Sequence, residues 1–450
     1  MKLGVIGAGW AGLAAASELH HLGHEVHVFE SSRTPGGRAR KVQTQSLGNI
    51  DNGQHLLIGA YSETLALIAR DVPKSEQASL FFRSALWLES ADARFKLKIN
   101  KAWPQAMQAP LALWLAKGLS LADKWQASLF LRRVGLAQNP PTDDITVTQW
   151  LATERQTEAL GQWLWKPLCL ASLNTEPDHA SAALFHRVIK DSLTSPDPRA
   201  TDLLIPATDL SSLWPTHVAQ KVTCHFGRTV RQVRPTEHVV YVDDECFDGC
   251  VIATPAWGLH RLFSPETSKP LRTHLEAAQS MTYLPITTCY VDLAGPLTLP
   301  APMLLLDHSA QVRYPGQWVF DRNAATPQAL TQAPTQAQAQ AQLAFVISDA
   351  QSVLGVSDQA LAELLLAQLG SALEARYRRA INLPPIKATS SIHEKRATFA
   401  AVPGLKRPTT ETPWPHLVLA GDWTDTGYPA VLEGAVRSGL AAASRLNERR

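Results

Sequence analysis

The sequence predicts an α/β protein: a Rossmann-like nucleotide-binding domain joined to a second domain of mixed sheet and helix. Three observations predict it. A glycine-rich turn stands between a strand pattern and a helix pattern at the start of the chain. A buried-strand pattern, then Gly-Asp, then a helix of small residues closes it. Between them lie long helical patterns rich in Leu, Ala and Trp, with separate apolar strand runs.

The first element is the run Leu3 to Ile6, suited to a buried parallel strand. Gly7-Ala8-Gly9-Trp10-Ala11-Gly12 follows directly, Trp10 to Leu22 reads as a helix ended by Gly23, and Glu25 to Phe29 reads as a second strand. Gly7 permits the tight turn, Gly9 lets the backbone approach a pyrophosphate, and Gly12 lets helix and strand pack closely. The N–H groups at the helix start, at Trp10 and Ala11, face the diphosphate. Glu30 lies 18 residues after Gly12, placed to accept hydrogen bonds from the adenosine ribose. Its charge would repel a 2′-phosphate, which disfavours NADP.

Pro35-Gly36-Gly37-Arg38-Ala39-Arg40 stands just after the second strand. Gly36 and Gly37 let the backbone lie against a cofactor. Arg38 and Arg40 alternate, so one of them can meet the diphosphate. At this position the pattern resembles the FAD-binding signature of the amine oxidase and phytoene desaturase superfamily. The resemblance implies that the polar stretch Asn52-Gly53-Gln54-His55 runs beside the flavin ring, with Asn52, Gly53 and Gln54 in the cofactor site. Gln54 or His55 would face the ring or the substrate. His55 reads equally well as a hydrogen-bonded structural histidine.

At the other end, Leu417 to Ala420 is a buried-strand pattern. Gly421-Asp422-Trp423-Thr424-Asp425-Thr426-Gly427 follows, and Pro429 is expected to open a helix. This is the second half of the FAD signature in the superfamily. Asp422 would bind the ribityl hydroxyls or contact the diphosphate through water. The helix N-terminus would stabilise negative charge at the pyrimidine end of the reduced flavin. Gly434 and Ala435 would keep that helix thin where it meets the cofactor.

In the middle, Thr229–Val233 and His238–Val242 read as a hairpin, and Gly249 to Pro255 as a strand with a proline stop. In the superfamily this returns the chain to the FAD domain. Val230 would pack at the adenine through its backbone, and Ala253 and Thr254 would lie near the diphosphate. Residues 56–220 are mostly helical in pattern, including Leu111–Leu115 and Leu119–Val134. Such helices suit simple core packing, a tunnel for a hydrocarbon, or rest on a membrane surface. Residues 256–400 suggest a second sheet, including Thr287–Asp292 and Leu343–Ser348. Ala324–Gln342 is an Ala/Gln/Pro/Thr-rich tract with few residues that could bury, read as a surface loop. The FAD-binding domain is thus expected from residues 1–60, 221–258 and 410–450, and the substrate domain from 61–220 and 259–409.

Composition bounds the remaining choices. Hydrophobic residues make up 45% and charged residues 18%, an ordinary globular balance. A formal net charge of +2 argues against a nucleic-acid binder. Five irregularly spaced cysteines, an odd number, suggest structural thiols in a reducing compartment, and no metal-ligand pattern occurs. The start has no basic segment before its apolar run, so a signal peptide is not expected. The absence of an apolar run of ~18 residues leaves no transmembrane helix expected. A cytoplasmic protein follows, with peripheral contact on the inner face of the cell membrane left open.

Three longer segments narrow the family. Asp51 to Tyr61, Trp165 to Thr175, and Ala420 to Gly427 resemble the hydroxysqualene dehydroxylase family, also called squalene-associated FAD-dependent desaturases. That resemblance implies reductive loss of an allylic hydroxyl from a long apolar isoprenoid, with FAD as cofactor and an unidentified electron donor. The reaction needs an apolar tunnel and a proton donor for the departing hydroxyl. His55, Asp425 and Glu433 are the catalytic candidates because each flanks a flavin motif. A carotenoid-type desaturase, a flavin amine oxidase and a flavin-binding scaffold without redox activity are the alternatives.

Overall fold

The computed structural model describes residues 1–136, 141, 144–307, 314–325 and 340–448. Five parallel strands form the first sheet, in the order Thr223–Phe226, Glu25–Glu30, Lys2–Ile6, Gly249–Ile252, Leu417–Leu419. All five come from the three separate stretches assigned to the nucleotide domain. The central strands are apolar along nearly their whole length, since both faces are covered. The helix Trp10–His21 covers one face and packs against the C-terminal helix Leu432–Asn447.

Two local expectations shift. The C-terminal helix begins at Leu432, not at Pro429. The Val431 N–H bonds the Pro429 carbonyl, so a tight turn fills the gap before the helix. The hairpin strand is Val233–Pro235, paired with Val240–Val242, so the expected Thr229–Val233 strand slips to later residues. The Arg231 and Gln232 N–H groups instead donate to the Asp243 carboxylate at 2.9 and 3.0 Å, which holds that stretch as a loop. The edge strand Thr223–Phe226 was not expected as a separate element.

The second sheet is antiparallel, in the order Met303–Leu305, Trp318–Asp321, Gln342–Ser348, Tyr283–Leu293, Ile386–Phe399. Directly opposed residues share a face. One face carries Cys289, Val291, Phe345 and Ile347 and packs against Leu361, Leu365 and Leu369 of the helix Asp358–Tyr377. The other carries Met303, Leu305, Trp318, Phe320, Ala344 and Tyr290, all in the largest apolar cluster. The same cluster takes in the helices Gln105–Trp114, Leu121–Leu136 and Ala182–Leu193.

Residues 56–220 are less uniformly helical than expected. Short strands at Leu57–Ile58, Phe81–Ser84 and Leu203–Pro206 make a small sheet, and Trp87–Glu89 pairs with Lys96–Lys98. Trp163 and Trp165 lie in one π-helical turn, Gly161–Trp165, that leads into the helix Lys166–Leu173. Most of the Ala/Gln-rich tract, residues 326–339, lies outside the described residues. All five cysteines are free. Among the described residues no helix is long and apolar enough to cross a membrane.

Candidate flavin site

The glycine turn is shaped by contacts that a side chain would block. Gly7 has φ of +110°, and a Cβ there would stand 2.6 Å from the Ala253 carbonyl oxygen. A Cβ on Gly12 would fall 1.9 Å from the Gly7 carbonyl oxygen. Ala253 and Thr254 therefore sit against the turn. Gly9 differs: its Cβ would meet nothing nearer than Gly37 Cα, at 3.9 Å. The second glycine pair joins here, with the Gly36 N–H donating to the Ala8 carbonyl at 2.8 Å. Glu30 accepts from the Ala8 and Ser32 N–H groups, each at 2.7 Å. Its carboxylate thus ties the end of the second strand to the turn.

Trp10 and Ala11 start the helix, but the indole of Trp10 turns into the core. It packs at a tilt against Trp214, ring centroids 5.1 Å apart, and donates to the Ala39 carbonyl at 3.2 Å. Only its backbone N–H is left to face a ligand.

The two arginines have separate partners. Arg38 donates to Asp422 Oδ1 and to the Ala397 carbonyl, both at 2.6 Å. Burial opposes its charge, but Asp422 outweighs that and raises the Arg38 pKa. Part of the Arg38 side chain, 39%, stays accessible. Arg40 folds back onto the Gly37 carbonyl at 2.9 Å. The Arg38–Asp422 pair joins the two ends of the chain, 384 residues apart.

The C-terminal motif closes around the same place. Trp423 donates from its indole to the Thr254 carbonyl at 3.0 Å, and the Gly421 N–H donates to Ser438 Oγ at 2.8 Å. Val230 is buried, 8% exposed, in the loop before the hairpin. The bare face of Gly434 meets its own preceding loop. A Cβ there would meet the Pro429 carbonyl at 2.9 Å and Tyr428 at 3.0 Å, so it accommodates its own loop. Ala435 is half-buried on the next position.

The segment Asn52–His55 lies over the apolar face of the second sheet. The Gln54 N–H donates to Thr288 Oγ1 at 3.3 Å, and a Cβ on Gly53 would stand 3.6 Å from the same oxygen. Asn52 bridges the Arg38 carbonyl at 3.1 Å and Glu394 at 3.2 Å. Burial, and then the charge of Arg38, push the His55 pKa down to about 4. The imidazole is therefore neutral at pH 7.

The other two catalytic candidates are committed elsewhere. Glu433 is fully buried and caps the helix Ser62–Asp71. It accepts from the Glu63 and Thr64 N–H groups, from Thr64 Oγ1 at 2.7 Å, and from Arg437 at 2.8 Å. Asp425 is 59% exposed and pairs with the buried Arg407 at 3.2 Å. Glu433 is thus spent on this cap, whereas Asp425 stands at the surface.

Sequence reading named Thr254 but missed two tyrosine hydroxyls. Tyr283 OH, Tyr290 OH and Thr254 Oγ1 are buried without a hydrogen-bond partner among the described residues. Burial, with the negative charge of Asp422, pushes Tyr283 up to about 12, so it keeps its proton. Tyr283 pairs with Phe399 in the second sheet, two residues beyond the Ala397 carbonyl that Arg38 holds. The available signal was alternation along Tyr283–Leu293, which puts Thr288 and Tyr290 on one face. Nothing local said which face mattered.

These residues fit an FAD. Thr254 offers an unpartnered hydroxyl at the glycine turn, and Gly9 leaves its backbone open to a diphosphate. Arg38 and the Asn52–His55 segment line the way from there to the apolar sheet face.

Comparison with known proteins agrees. The family model described as flavin containing amine oxidoreductase matches residues 10–447. The hydroxysqualene dehydroxylase of Rhodopseudomonas palustris is 31% identical over 98% of this chain and 96% of its own. A probable zeta-carotene desaturase of Synechococcus elongatus is 22% identical over 100% of this chain and 99% of its own. Among solved structures, an oxidoreductase from Methanosarcina mazei aligns with a TM-score of 0.70 at 17% identity, covering 99% of this chain and 100% of that one. The chain is thus an FAD-dependent oxidoreductase that belongs to the hydroxysqualene dehydroxylase family, within the flavin containing amine oxidoreductases.

Proposed function

We propose that this enzyme removes the allylic hydroxyl of hydroxysqualene reductively, giving squalene. The observation that carries the reading is the 31% identity to a hydroxysqualene dehydroxylase along nearly the whole chain. The second sheet is in keeping with it, because Trp318, Phe320, Met303 and Leu305, apolar and buried, lie on the side of the sheet below Asn52–His55.

In the balanced reaction the C–O bond breaks, the oxygen takes a proton and leaves as water, and a hydride replaces it on carbon. FAD, when bound and reduced, supplies that hydride. The nucleotide would be held by Gly7, Gly9, Gly12, Glu30, Gly36, Gly37, Arg38, Thr254, Gly421 and Asp422. The protein's own residues do the rest. Arg38, fixed by Asp422 and the Ala397 carbonyl, sets a positive charge beside the cofactor site. The apolar sheet face limits water, which would otherwise trap a developing allylic cation. The Tyr283 hydroxyl, protonated and unpartnered, hydrogen-bonds the departing oxygen and gives it the proton with which it leaves as water, and solvent returns a proton to the tyrosinate. His55, neutral and close to Gly53, serves as a polar contact and not as an acid at pH 7. A small external reductant or a redox partner reduces the flavin.

The test is anaerobic incubation of the photoreduced holoenzyme with hydroxysqualene, followed by extraction and mass analysis. Squalene should form in amounts matching the flavin oxidised. Fully reduced flavin that stays reduced, with no squalene, would sink the reading. New double bonds formed from a polyene by the oxidised enzyme would favour desaturation instead.

A further inference from the structure

Ten large apolar side chains are exposed among the described residues, and five of them fall within residues 107–125. They are Met107, Trp114, Leu115, Leu121 and Trp125. Leu115 is 64% exposed, Leu121 72% and Trp125 55%. They lie on the helices Gln105–Trp114 and Leu121–Leu136 and the turn between them. Leu121 and Trp125 are one helical turn apart and share a face. The ammonium of Lys124 donates to the Trp114 carbonyl at 2.8 Å, which ties the two helix ends into one surface. The inner sides of the helices carry Ala112, Leu113, Ala127 and Phe130, buried in the same cluster as Tyr290 and Trp318. The exposed side is therefore the outside of the substrate domain's own wall.

The charge around this patch is one-sided. Residues 94–136 contain eight Lys and Arg and a single acidic residue, Asp123. Asp123 is buried, and its carboxylate is taken up by Ser120 and Thr157. Arg94, Lys96, Lys101 and Arg133 pair with carboxylates outside the segment. Lys98, Lys117, Lys124 and Arg132 take no carboxylate partner among the described residues. Tryptophan suits the boundary between headgroups and acyl chains, and lysine beside it complements anionic headgroups. A protein partner would need complementary acids on an equally apolar patch. A bilayer supplies both properties at once.

We propose that this helical hairpin seats the enzyme on the surface of a bilayer that contains anionic phospholipid. Trp114, Leu115, Leu121 and Trp125 enter the headgroup layer, and Lys117, Lys124 and Arg132 meet the phosphates. The proposal concerns the protein's surface alone, so an assay without substrate tests it independently of the reaction proposed above.

The experiment is sedimentation of the flavin-loaded protein with vesicles of phosphatidylcholine, with and without one-third phosphatidylglycerol. The protein should sediment with the anionic vesicles and much less with the neutral ones. Leu121→Glu combined with Trp125→Glu should cut the bound fraction at least tenfold, while flavin absorbance and melting temperature stay unchanged. Lys117→Glu combined with Lys124→Glu should remove the preference for the anionic vesicles. Wild-type protein that ignores both vesicle types overturns the proposal. So does a pair of apolar-to-Glu substitutions that leaves binding intact. A dimer of the wild type in solution that the same pair dissolves, without vesicle binding, assigns the patch to a second copy and overturns it as well.

Discussion

His55 is the residue whose surroundings decide its role most directly. Burial and the Arg38 charge lower its pKa to about 4, against an unperturbed value near 6.5. Between those two values the unfolded chain binds the proton and the folded protein does not. The sign of the linkage follows: stability falls as pH drops from about 6.5 to about 4, and levels off below. Asp51 works the other way, because burial raises its pKa to about 6, so folding takes up its proton between about 4 and 6. A single melting curve series would mix the two. The difference between wild type and His55→Gln separates them. The variant should lose less melting temperature than wild type between pH 7 and pH 5; equal losses would mean that His55 is not held neutral. Tyr283→Phe removes the hydroxyl that has no partner and keeps the ring. Loss of one donor aimed at a departing oxygen costs on the order of 10²-fold in kcat, and flavin binding should be unaffected. An unchanged kcat would remove Tyr283 from the reaction.

Glu433 shows why flanking a motif did not make a residue catalytic. Its carboxylate spans from the C-terminal helix to the first turn of Ser62–Asp71 and joins two elements that are far apart in sequence. Glu433→Ala would strand the Thr64 hydroxyl, two N–H groups and Arg437. Breaking such a buried charged network costs about 3–5 kcal/mol, read as a lower denaturation midpoint with the flavin spectrum retained in the folded fraction. Gly12→Ala acts on the neighbouring contact: its Cβ would stand 1.9 Å from the Gly7 carbonyl oxygen, so strand and helix must separate. Flavin should be lost before the fold is, visible as colourless but folded protein. Elements of this kind were legible because their signals are local. Parallel strands read as unbroken apolar runs, and glycine spacing marks the turn between them. The strand Thr223–Phe226 escaped because it is a sheet edge with no fully buried residue, so it lacks the apolar run. The hairpin slipped because Val230 and Val233 both look like strand residues, and only the side chain of Asp243, 11 and 12 residues further on, fixes 231–232 as a loop. The site itself was half legible. Arg38 and Asp422 stood in motifs, whereas Tyr283, Thr288 and Arg407 join the candidate site only through tertiary packing.

At the scale of the whole molecule, the nucleotide domain is a sheet that no continuous segment can build. Its central strand Lys2–Ile6 pairs with Gly249–Ile252, which in turn pairs with Leu417–Leu419. The C-terminal helix lies on the first helix so closely that a Cβ on Gly439 would fall 2.1 Å from the Ala11 carbonyl oxygen. The bound dinucleotide would touch parts of all three stretches, so its binding energy would act on the folding of the entire domain. A ligand that binds only the folded state stabilises it by about 2.7 kcal/mol at a concentration of 100 times Kd. Apo protein should therefore melt lower than protein saturated with FAD, with the gap widening as FAD is raised. NADP should give no such gap, since the Glu30 carboxylate beside the turn repels a 2′-phosphate. A chain ended after His416 loses the fifth strand, Asp422 and the helix that backs the glycine turn. FAD should give that truncated chain no thermal shift at any concentration, and the hydrophobic cluster that holds Val418, Val436 and Leu446 would lie open. A truncated chain that still turned yellow and melted higher with FAD would show that the two ends need not meet to make the site.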